Sequence, residues 1–417
     1  MNDPIAWLYG LQSHGVKLGL DGIRTLLALL DHPERAYPSM LVGGTNGKGS
    51  VAAMLDAILG ATSRRTGLYT SPHLVRPNER IRVAGEDLAT LEFHRVLGIV
   101  RAACERGLAE DKLAAHPSFF EVMTAAALCA FRDAGVDVAV LEVGLGGRLD
   151  ATNATEPLAS AIVTVSLDHL ETLGATLEAI ALEKAGIVRA GRPLVSGVAQ
   201  PDVVAVLRAK CDAVGATYID ARATKLPSGV RLSLDGTHQR DNARVALAAF
   251  EAFSRELGDA TDSRAMRHGL ETARWPGRLQ LIAGAPSILL DGAHNVAGAE
   301  ALAAHLALRG GPKPVLLFAA MADKDISGIL GPLVPHVASV VATQPGVARA
   351  ADSKDVAAAA RALGLPAGAE PDPARALEKA RALAGPGGLV LVAGSLYLVG
   401  AVTAVLEGGT PPGPVSM

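Results

Sequence analysis

Aromatic residues are scarce in this chain of 417 residues, where phenylalanine, tryptophan and tyrosine together make up 3%. A surface on which nucleic-acid bases stack needs several such rings, so the composition argues against that kind of partner. The hydrophobic share is nevertheless 49%. We therefore expect folded domains whose cores are built from alanine, valine, leucine and isoleucine. At about 100–200 residues per domain, the length predicts at least two domains.

Cysteine is nearly absent, with only Cys104, Cys129 and Cys211. Their wide spacing indicates neither a disulfide framework nor a zinc site, and we expect small packing residues in a reducing compartment. The formal net charge of −3 gives no bulk attraction to nucleic acid or anionic lipid. The N-terminus also lacks the basic segment and apolar run of a signal peptide. These absences predict a cytoplasmic protein without a nucleic-acid or membrane partner.

One uncharged stretch, residues 382–406, is long enough to span a bilayer. Pro386-Gly387-Gly388 interrupts its start, and Gly394-Ser395 divides its middle. Because a parallel strand buried on both faces needs no polar alternation, the stretch is better explained as a buried strand, a turn and a helix.

Apolar runs alternate with amphipathic stretches along most of the chain, as in "MLVGG" followed by "SVAAMLDAILGAT". This alternation predicts an α/β fold with a mainly parallel sheet, whose ligands bind beyond the C-terminal ends of the strands. Trp275-Pro276-Gly277 breaks the pattern, and a second alternating series follows it. The second series predicts a further, smaller α/β domain.

The stretch "GGTNGKGS", residues 43–50, resembles a phosphate-binding loop but departs from the usual G-x-x-x-x-G-K-[ST] pattern. Here Gly49 separates Lys48 from the hydroxyl of Ser50. A glycine-rich turn into a helix directs backbone N–H groups and the helix dipole at an anion. Lys48 adds a positive charge, and Ser50 or Thr45 can reach a metal. These features favour a nucleotide site over a simple glycine turn.

Polar side chains also follow other predicted strands. Glu142 ends the apolar run "VAVLE", where a carboxylate is costly unless it meets a metal ion or a basic side chain, and both remain open. The loop "GLYTSPHL" offers Ser71 and His73, and "VTVSLDHLE" offers Asp168 and His169. Such loops at one edge of a sheet favour a ligand site.

Two further segments allow more than one interpretation. In "LEKAGIVR", position on a helix alone suggests that Lys184 is a solvated surface lysine. In "SILLDGAHN", Asp291, His294 and Asn295 follow a strand and could close over a nucleotide from the second domain. Equally, they could form a turn in which Asn295 caps the next helix.

Eleven motifs occur in a characteristic order between about residue 16 and residue 400: GGTNGKGS, TSPHLVRPNERIRV, SFFEVMTAAAL, LEVGLGGRLDATN, LDHLETLG, EKAGIVR, HQRDNA, WPGRLQ, DGAHN, MADKD and GSLYLVG. Through this ordered set the chain closely resembles the folylpolyglutamate synthase and dihydrofolate synthase family of the Mur-ligase superfamily. "LEVGLGGRLDATN" is the most diagnostic motif.

The resemblance implies a P-loop-containing, mainly parallel N-terminal ATPase domain and a smaller Rossmann-like α/β C-terminal domain. We divide them as residues 1–280, for ATP and pteroate, and 281–417, the glutamate-ligase domain. Such an enzyme uses ATP to join L-glutamate to dihydropteroate, to the glutamate tail of a reduced folate, or to both, through an acyl phosphate. It releases ADP and phosphate. We expect a monomer whose partners are these small molecules.

The resemblance also implies roles for individual residues. The cofactors would be Mg²⁺ at two sites, with ATP as co-substrate and K⁺ as a further ion. Lys184 matches a lysine that is carbamylated in the family. The implied catalytic residues are Lys48, His169, Lys184 and His294; the ATP-binding residues are Thr45, Asn46, Gly47, Lys48, Gly49, Ser50, Asn242, Arg278 and Asp291; the pteroate-binding residues are Ser118, Phe119, Phe120, Glu121, Leu149, Asp150 and Ala151; and the metal ligands are Ser50 with Glu142, and Ser71 with Glu142 and His169.

Small departures from the family pattern, Ser166, Val296 and Ala319, remove no group with chemistry, so we expect an active enzyme. The alternatives are a muramyl-peptide-type ligase and a nucleotide-binding regulatory module without ligase turnover. The segments that match the pteroate site argue against the first. The joint presence of Lys48, Glu142, His169 and Lys184 argues against the second.

Overall fold

The computed structural model describes residues 3–11 and 19–409. The described chain forms two β-sheets with helices on both faces of each. The first sheet has eight strands in the order β4-β3-β2-β5-β1-β6-β7-β8, and only β3 runs opposite to the others, antiparallel to both of its neighbours. Its strands are β1 Ser39–Gly43, β2 Thr66–Tyr69, β3 Ile81–Val83, β4 Glu86–Asp87, β5 Val138–Glu142, β6 Ala159–Ile162, β7 Pro193–Ser196 and β8 Thr217–Asp220.

Helices cover this sheet because its central strands are apolar on both faces. One face packs against α1, α2, α4, α5, α7 and α8, and the other packs against α3, α9 and α10. The helices are α1 Pro4–Gly10, α2 Asp21–Leu29, α3 Lys48–Ala61, α4 Thr90–Ala109, α5 Phe119–Asp133, α6 Leu170–Leu173, α7 Leu177–Ala185, α8 Pro201–Val214, α9 His238–Leu257 and α10 Ser263–Thr272.

The second sheet has six strands in the order β13-β12-β11-β14-β10-β9, and only β9 is antiparallel to its neighbour. Its strands are β9 Gln280–Ile282, β10 Ser287–Leu290, β11 Val315–Phe318, β12 Ser339–Ala342, β13 Ala367–Ala369 and β14 Leu389–Ala393. Its helices are α11 Val296–Arg309, α12 Ile326–Leu330, α13 Ser353–Ala362, α14 Pro373–Ala384 and α15 Leu396–Leu406. The predicted α/β fold, with a larger N-terminal sheet and a smaller C-terminal one, is confirmed.

The uncharged stretch 382–406 forms the end of α14, strand β14, a turn at Gly394-Ser395 and helix α15. The prediction of a strand, a turn and a helix is therefore confirmed. In the described part of the chain, no helix is both long and apolar enough to cross a membrane.

The order of the strands determines where polar loops meet. β2, β5, β1 and β6 are parallel neighbours, with Val42 of β1 level with Glu142 of β5. Their C-terminal ends therefore share one edge of the sheet, as ligand-binding sites in such folds require. In the second sheet, β11, β14 and β10 are likewise parallel neighbours.

The two sheets also touch directly, through α15 and the loop after β2. Gly400 of α15 lies so close to Leu74 that a Cβ on Gly400 would be 1.9 Å from the Leu74 carbonyl oxygen. Val399 and Leu74 also border Gly277, whose φ is +71°. The backbone at position 400 therefore limits how closely the two halves approach.

We expect Gly400→Ala to push the halves apart, because the new methyl overlaps rigid backbone. Overpacking of this kind typically costs about 1–3 kcal/mol. Thermal unfolding should show a lower Tm, with reduced turnover. Gly98→Ala is the matched control, since Gly98 is also helical but a Cβ added there would meet no atom within 4 Å. A Gly400→Ala protein as stable and as active as the wild type would contradict this packing.

Candidate active site

The glycine-rich loop after β1 enters α3 through positions that suit glycine, with φ of +144° at Gly44 and +82° at Gly47. A Cβ on Gly47 would lie 2.5 Å from Asn242 Oδ1. α3 begins at Lys48, so the amides of its first turn have no partner within the helix and attract an anion. Lys48 Nζ donates to the Thr45 carbonyl at 3.2 Å. The loop thus has the features of a phosphate-binding site.

The additional glycine of the loop, Gly49, makes room for an aromatic ring. A Cβ there would lie 2.5–2.7 Å from atoms of the Trp275 indole. Ser50, which is 2% exposed, accepts a hydrogen bond from Gln239 Nε2 at 3.3 Å. Gln239 Oε1 accepts one from Asn242 Nδ2 at 2.9 Å. The sequence indicated Asn242 but not Gln239 or Trp275, because a single sequence does not show which side chains pack on the loop.

The loop after β6 supports the glycine-rich loop from the side. Thr164 Oγ1 lies 2.9 Å from both the backbone nitrogen and the carbonyl oxygen of Asn46, accepting from the first and donating to the second. The Thr45 hydroxyl pairs with the backbone of Ser166 at 3.1–3.2 Å. Of the two hydroxyls considered for a metal, that of Thr45 is thus engaged with the protein.

Glu142 is buried at the end of β5, with 4% exposure. Its Oε2 accepts a hydrogen bond from the Ser71 backbone nitrogen at 2.9 Å. Burial raises the pKa of its carboxyl, and Lys48, the Ser71 amide, Arg278 and Arg80 only partly oppose this. Within the described residues no lysine or arginine forms an ion pair with it. Such a carboxylate is poised to receive a cation.

Lys184 is not the solvated lysine that its position alone suggested. The side chain is 3% exposed, and Nζ donates to the Gly44 carbonyl at 3.0 Å. Burial, followed by the nearby Lys48 charge, lowers the pKa of Lys184 to about 7. The amine is therefore substantially neutral near physiological pH.

Asp168 joins the two halves of the molecule. Its Oδ1 forms an ion pair with Lys324, from the loop after β11, and accepts from the His169 backbone nitrogen at 2.9 Å. Its Oδ2 accepts from Asn295 Nδ2 at 2.9 Å. Asn295 also exchanges hydrogen bonds of 3.0 and 3.1 Å with Asn46 of the glycine-rich loop. The carboxylate therefore connects the first sheet with the loops of the second.

Two histidines flank this carboxylate. His169 has a left-handed backbone, with φ of +51°, and its Nε2 lies 3.9 Å from Asp168 Oδ1. His294 Nε2 lies 3.8 Å from Oδ2, while Nδ1 is 2.8 Å from the Gly292 carbonyl and donates to it. Burial lowers the pKa of both rings, that of His169 to about 4. Both are therefore neutral at pH 7, as metal ligands and bases must be.

Asp291 and Arg278 organise the junction between the halves. The Asp291 carboxylate accepts from the backbone nitrogens of Leu279 and Ala293 at 3.0 and 2.9 Å. Arg278 is half-buried, and its Nη1 donates to the Gly277 carbonyl at 3.0 Å. Asn295 caps α11 by accepting from the Gly298 nitrogen at 2.9 Å. Asn295 therefore both caps α11 and contacts Asn46 and Asp168 of the first half of the molecule.

The segments predicted for the pteroate lie around the start of α5. The Ser118 hydroxyl accepts from the Glu121 nitrogen at 3.3 Å, and Glu121 Oε2 accepts from the Ser118 nitrogen at 2.8 Å, which is a capping box. The Phe120 ring packs over Gly144, where a Cβ would lie 2.5 Å away. Asp150 Oδ2 accepts a hydrogen bond from the Leu145 backbone nitrogen at 2.9 Å. This bond holds the loop that leads to Leu149 and Ala151. Phe119 stacks on Tyr9 with centroids 6.0 Å apart.

The loop after β2 suggested His73 as a ligand, but its ring is engaged with other side chains of the protein. Its ring is buried and accepts a hydrogen bond from Arg80 Nε at 2.9 Å. In the part of the chain that the structure describes, no three side chains of histidine, cysteine, aspartate or glutamate are grouped so that they could hold a metal ion. A Mg²⁺ site does not need such a group, because serine hydroxyls and nucleotide phosphates can also be ligands, and phosphates commonly supply much of the Mg²⁺ coordination shell.

Two family models match the chain. The Mur ligase middle domain covers residues 42–202, and the Mur ligase, glutamate ligase domain covers residues 277–396. Together with a phosphate loop facing a second α/β unit, these matches define a ligase of the Mur class.

Relatives narrow the class. The dihydrofolate synthase/folylpolyglutamate synthase of Bacillus subtilis is 33% identical over 95% of this chain and 97% of its own length. A probable bifunctional folylpolyglutamate synthase/dihydropteroate synthase of Haloferax volcanii is 37% identical over 95% of this chain, which spans only 49% of that relative. The chain belongs to the folylpolyglutamate synthase/dihydrofolate synthase family, and is an ATP-dependent ligase of glutamate to folates.

Solved structures agree with this assignment. Mycobacterium tuberculosis folylpolyglutamate synthase complexed with ADP superposes with a TM-score of 0.89, at 35% identity over 98% of this chain and 100% of that one. E. coli FolC in complex with DHPP and ADP gives 0.85, at 31% identity over 97% and 98% of the two chains. The bifunctional enzyme of Yersinia pestis complexed with AMPPNP and Mn ion gives 0.84, at 31% over 98% of each. The expected use of a nucleotide and a divalent metal is confirmed at this level.

The lowered pKa of Lys184 predicts a pH-dependent contribution to stability. The folded amine loses its proton near pH 7, whereas the unfolded one keeps it to about pH 10.4. Between these values the unfolded state binds more protons, so the free energy of unfolding should rise with pH relative to a Lys184→Met variant. The rise should be a few kcal/mol, at about 1.4 kcal/mol per pKa unit.

Urea unfolding of both proteins in CO₂-free buffer, from pH 6 to 10, measures this difference. Lys379→Met, which removes an exposed lysine of α14, is the control and should produce no such slope. A flat difference between wild type and Lys184→Met would show that the amine is not desolvated.

Proposed function

We propose that ATP binds with its phosphates on the loop from Thr45 to Ser50, and that Lys48, His169, Lys184 and His294 carry out catalysis. The main support is the convergence of Lys48, Glu142 and Lys184 on one edge of the first sheet, opposite His294. Asn242, Arg278 and Asp291 complete the proposed nucleotide site. In this arrangement Lys48 neutralises phosphate charge, and His294 and Lys324 face the cleft where L-glutamate would enter.

We propose two Mg²⁺ sites, one at Ser50 and Glu142 and the other at Ser71, Glu142 and His169, with K⁺ as a further ion. The donor set suits Mg²⁺ because it consists of a carboxylate, two hydroxyls and one neutral imidazole, with room for phosphate oxygens. The buried, unpaired carboxylate of Glu142 supports the fit. When bound, the metal ions neutralise the charge of the transferring phosphoryl group.

The acceptor site comprises Ser118, Phe119, Phe120, Glu121, Leu149, Asp150 and Ala151 in this proposal, and it takes dihydropteroate, a reduced folate or both. The complex of the E. coli relative with DHPP and ADP supports a small-molecule acceptor in addition to the nucleotide. ATP converts the acceptor carboxylate into an acyl phosphate because hydroxide is a poor leaving group. The glutamate amine then displaces phosphate and forms the amide.

We also propose that the protein is a monomer, that it is located in the cytoplasm, and that its domains comprise residues 1–280 and 281–417. Gel filtration with light scattering tests the first. Residues 16–18, where the family resemblance begins, lie outside the described structure.

The proposed reaction predicts phosphate release that requires both acceptor and L-glutamate. Dihydropteroate and a tetrahydrofolate monoglutamate should be tested side by side, since either one or both are accepted. Release with the acceptor alone would indicate a kinase, and no release would indicate a regulatory nucleotide-binding module. Turnover of a muramyl peptide instead of these acceptors would indicate the other branch of the superfamily.

Glu142→Gln should lower kcat by at least about 100-fold, because the metal ions lose their shared carboxylate. Calorimetric titration with ADP should also lose its dependence on Mg²⁺. Glu156→Gln is the control, since that side chain is 85% exposed. Near-normal rates of Glu142→Gln at ordinary Mg²⁺ concentrations would refute the assignment.

We further propose that Lys184 is carbamylated by CO₂. The reaction needs a neutral, shielded amine, and burial lowers the pKa of Lys184 to about 7. Protein equilibrated with ¹³C-bicarbonate should show one carbamate resonance that is absent from Lys184→Ala, and short carboxylic acids should partly restore activity to that variant. A fully active enzyme with an unmodified lysine would disprove the idea.

A further inference from the structure

Arg80 is the largest side chain buried almost completely in the described structure, with 1% exposure. Its Nη1 is buried and has no hydrogen-bond partner. No aspartate or glutamate of residues 3–11 and 19–409 forms an ion pair with it. A buried cation without an anion is costly, and an unpaired charge of this kind in a site is a candidate to bind a ligand of opposite charge.

The neighbours of Arg80 define one small cluster. Nε donates to His73 Nδ1 at 2.9 Å, so this ring is neutral and cannot supply the missing negative charge. The guanidinium carbon lies 5.2 Å from the centroid of the Phe119 ring, a cation–π contact. Tyr9 stacks on Phe119, and its hydroxyl lies 3.4 Å from His73 Nε2. Arg80, His73 and Phe119 are buried, while Tyr9 is partly exposed and its displacement would open the cluster.

Two contacts relate the cluster to the reaction. Phe119 is the first residue of α5 and belongs to the segment proposed for the acceptor. The backbone of Arg80 pairs with the strand that leads to Ser71, since the Thr70 nitrogen donates to the Arg80 carbonyl at 2.9 Å. Arg80 also lies near enough to Glu142 to act on its charge. The guanidinium therefore lies beside the acceptor segment, and its charge reaches the strand end where phosphoryl transfer is proposed.

The acceptors differ in the charge that they bring to this place. Dihydropteroate has a single carboxylate, the one that reacts. A folate ends in a glutamate with two carboxylates, of which one forms the new amide and the other stays ionised beside it. Burying the non-reacting carboxylate of the folate requires a cation beside it, whereas dihydropteroate, which has no such carboxylate, does not need this cation.

We propose that Arg80 binds the non-reacting carboxylate of the folate's terminal glutamate and so determines specificity for glutamate-tailed acceptors over dihydropteroate. The planar fork of the guanidinium suits a carboxylate, and Phe119 holds it in place. This inference rests on the acceptor site proposed above. It adds a residue that distinguishes the two acceptors.

The first test uses the wild-type enzyme. A tetrahydrofolate whose terminal α-carboxylate is replaced by a carboxamide should have a KM at least about 10-fold above that of the natural monoglutamate, as for the loss of a charge-assisted contact. Equal KM values for the two compounds would overturn the proposal. This comparison needs no variant and decides the matter even if substitutions of Arg80 fail to fold.

The second test uses Arg80→Gln. The ratio of kcat/KM for tetrahydrofolate to that for dihydropteroate should fall about 30-fold, and the penalty of the carboxamide should disappear. Arg80→Lys, which keeps the charge, should show a smaller fall. Arg82→Gln is the matched control, since Arg82 lies two residues further along, on β3, but pairs with Asp87 at 2.7 Å, and it should leave the ratio unchanged.

Other outcomes are equally decisive. A higher KM for L-glutamate with an unchanged acceptor ratio would assign Arg80 to the incoming amino acid and overturn the proposal. An equal loss with both acceptors would show a structural role and also overturn it. Wild-type enzyme that releases phosphate with neither acceptor would instead refute the proposed function.

Discussion

The Asp168 carboxylate is the contact on which the assembled site depends. Its two oxygens hold Lys324 and Asn295 from the second sheet, while its own loop follows β6 of the first. Burial would raise the pKa of Asp168, but His169, Lys324 and His294 together lower it below its ordinary value. At pH 7, where both imidazole rings are neutral, the positive charge beside the carboxylate is that of Lys324. The carboxylate therefore stays ionised, and the attraction that brings the halves together persists. Together with the Asn46–Asn295 hydrogen bonds, it fixes the position of the His294 segment relative to the phosphate loop.

The site as a whole concentrates buried charge. Glu142, Lys184 and Arg80 are each less than 5% exposed, and none of them has an ion-pair partner in the part of the chain described. Each costs folding free energy that an apolar residue would not. Such costs are typical of sites that are completed by ligands, here phosphates, metal ions and carboxylates. Their shared position at one sheet edge supports a common purpose.

Much of this arrangement could be predicted from sequence, and the exceptions have physical reasons. Continuous apolar runs such as that before Glu142 identified parallel strands, and the strand ends identified the polar loops. Helix position alone placed Lys184 at the surface, because periodicity shows the face of a helix and not what covers it. Gln239, Trp275 and Lys324 received no role, since their contacts arise only when distant segments pack. His73 was considered as a ligand, but it turns inward to Arg80.

Trp275 lies in the segment that connects α10 with β9, the only covalent path between the two sheets. Its indole occupies the space that a side chain at position 49 would need. Positions 49 and 275 therefore share a single volume, and neither can change size independently. Among homologues, a larger residue at the first position should accompany a smaller one at the second. Substitutions at position 49 of the phosphate loop would then be correlated with substitutions at position 275, in the connection between the two sheets.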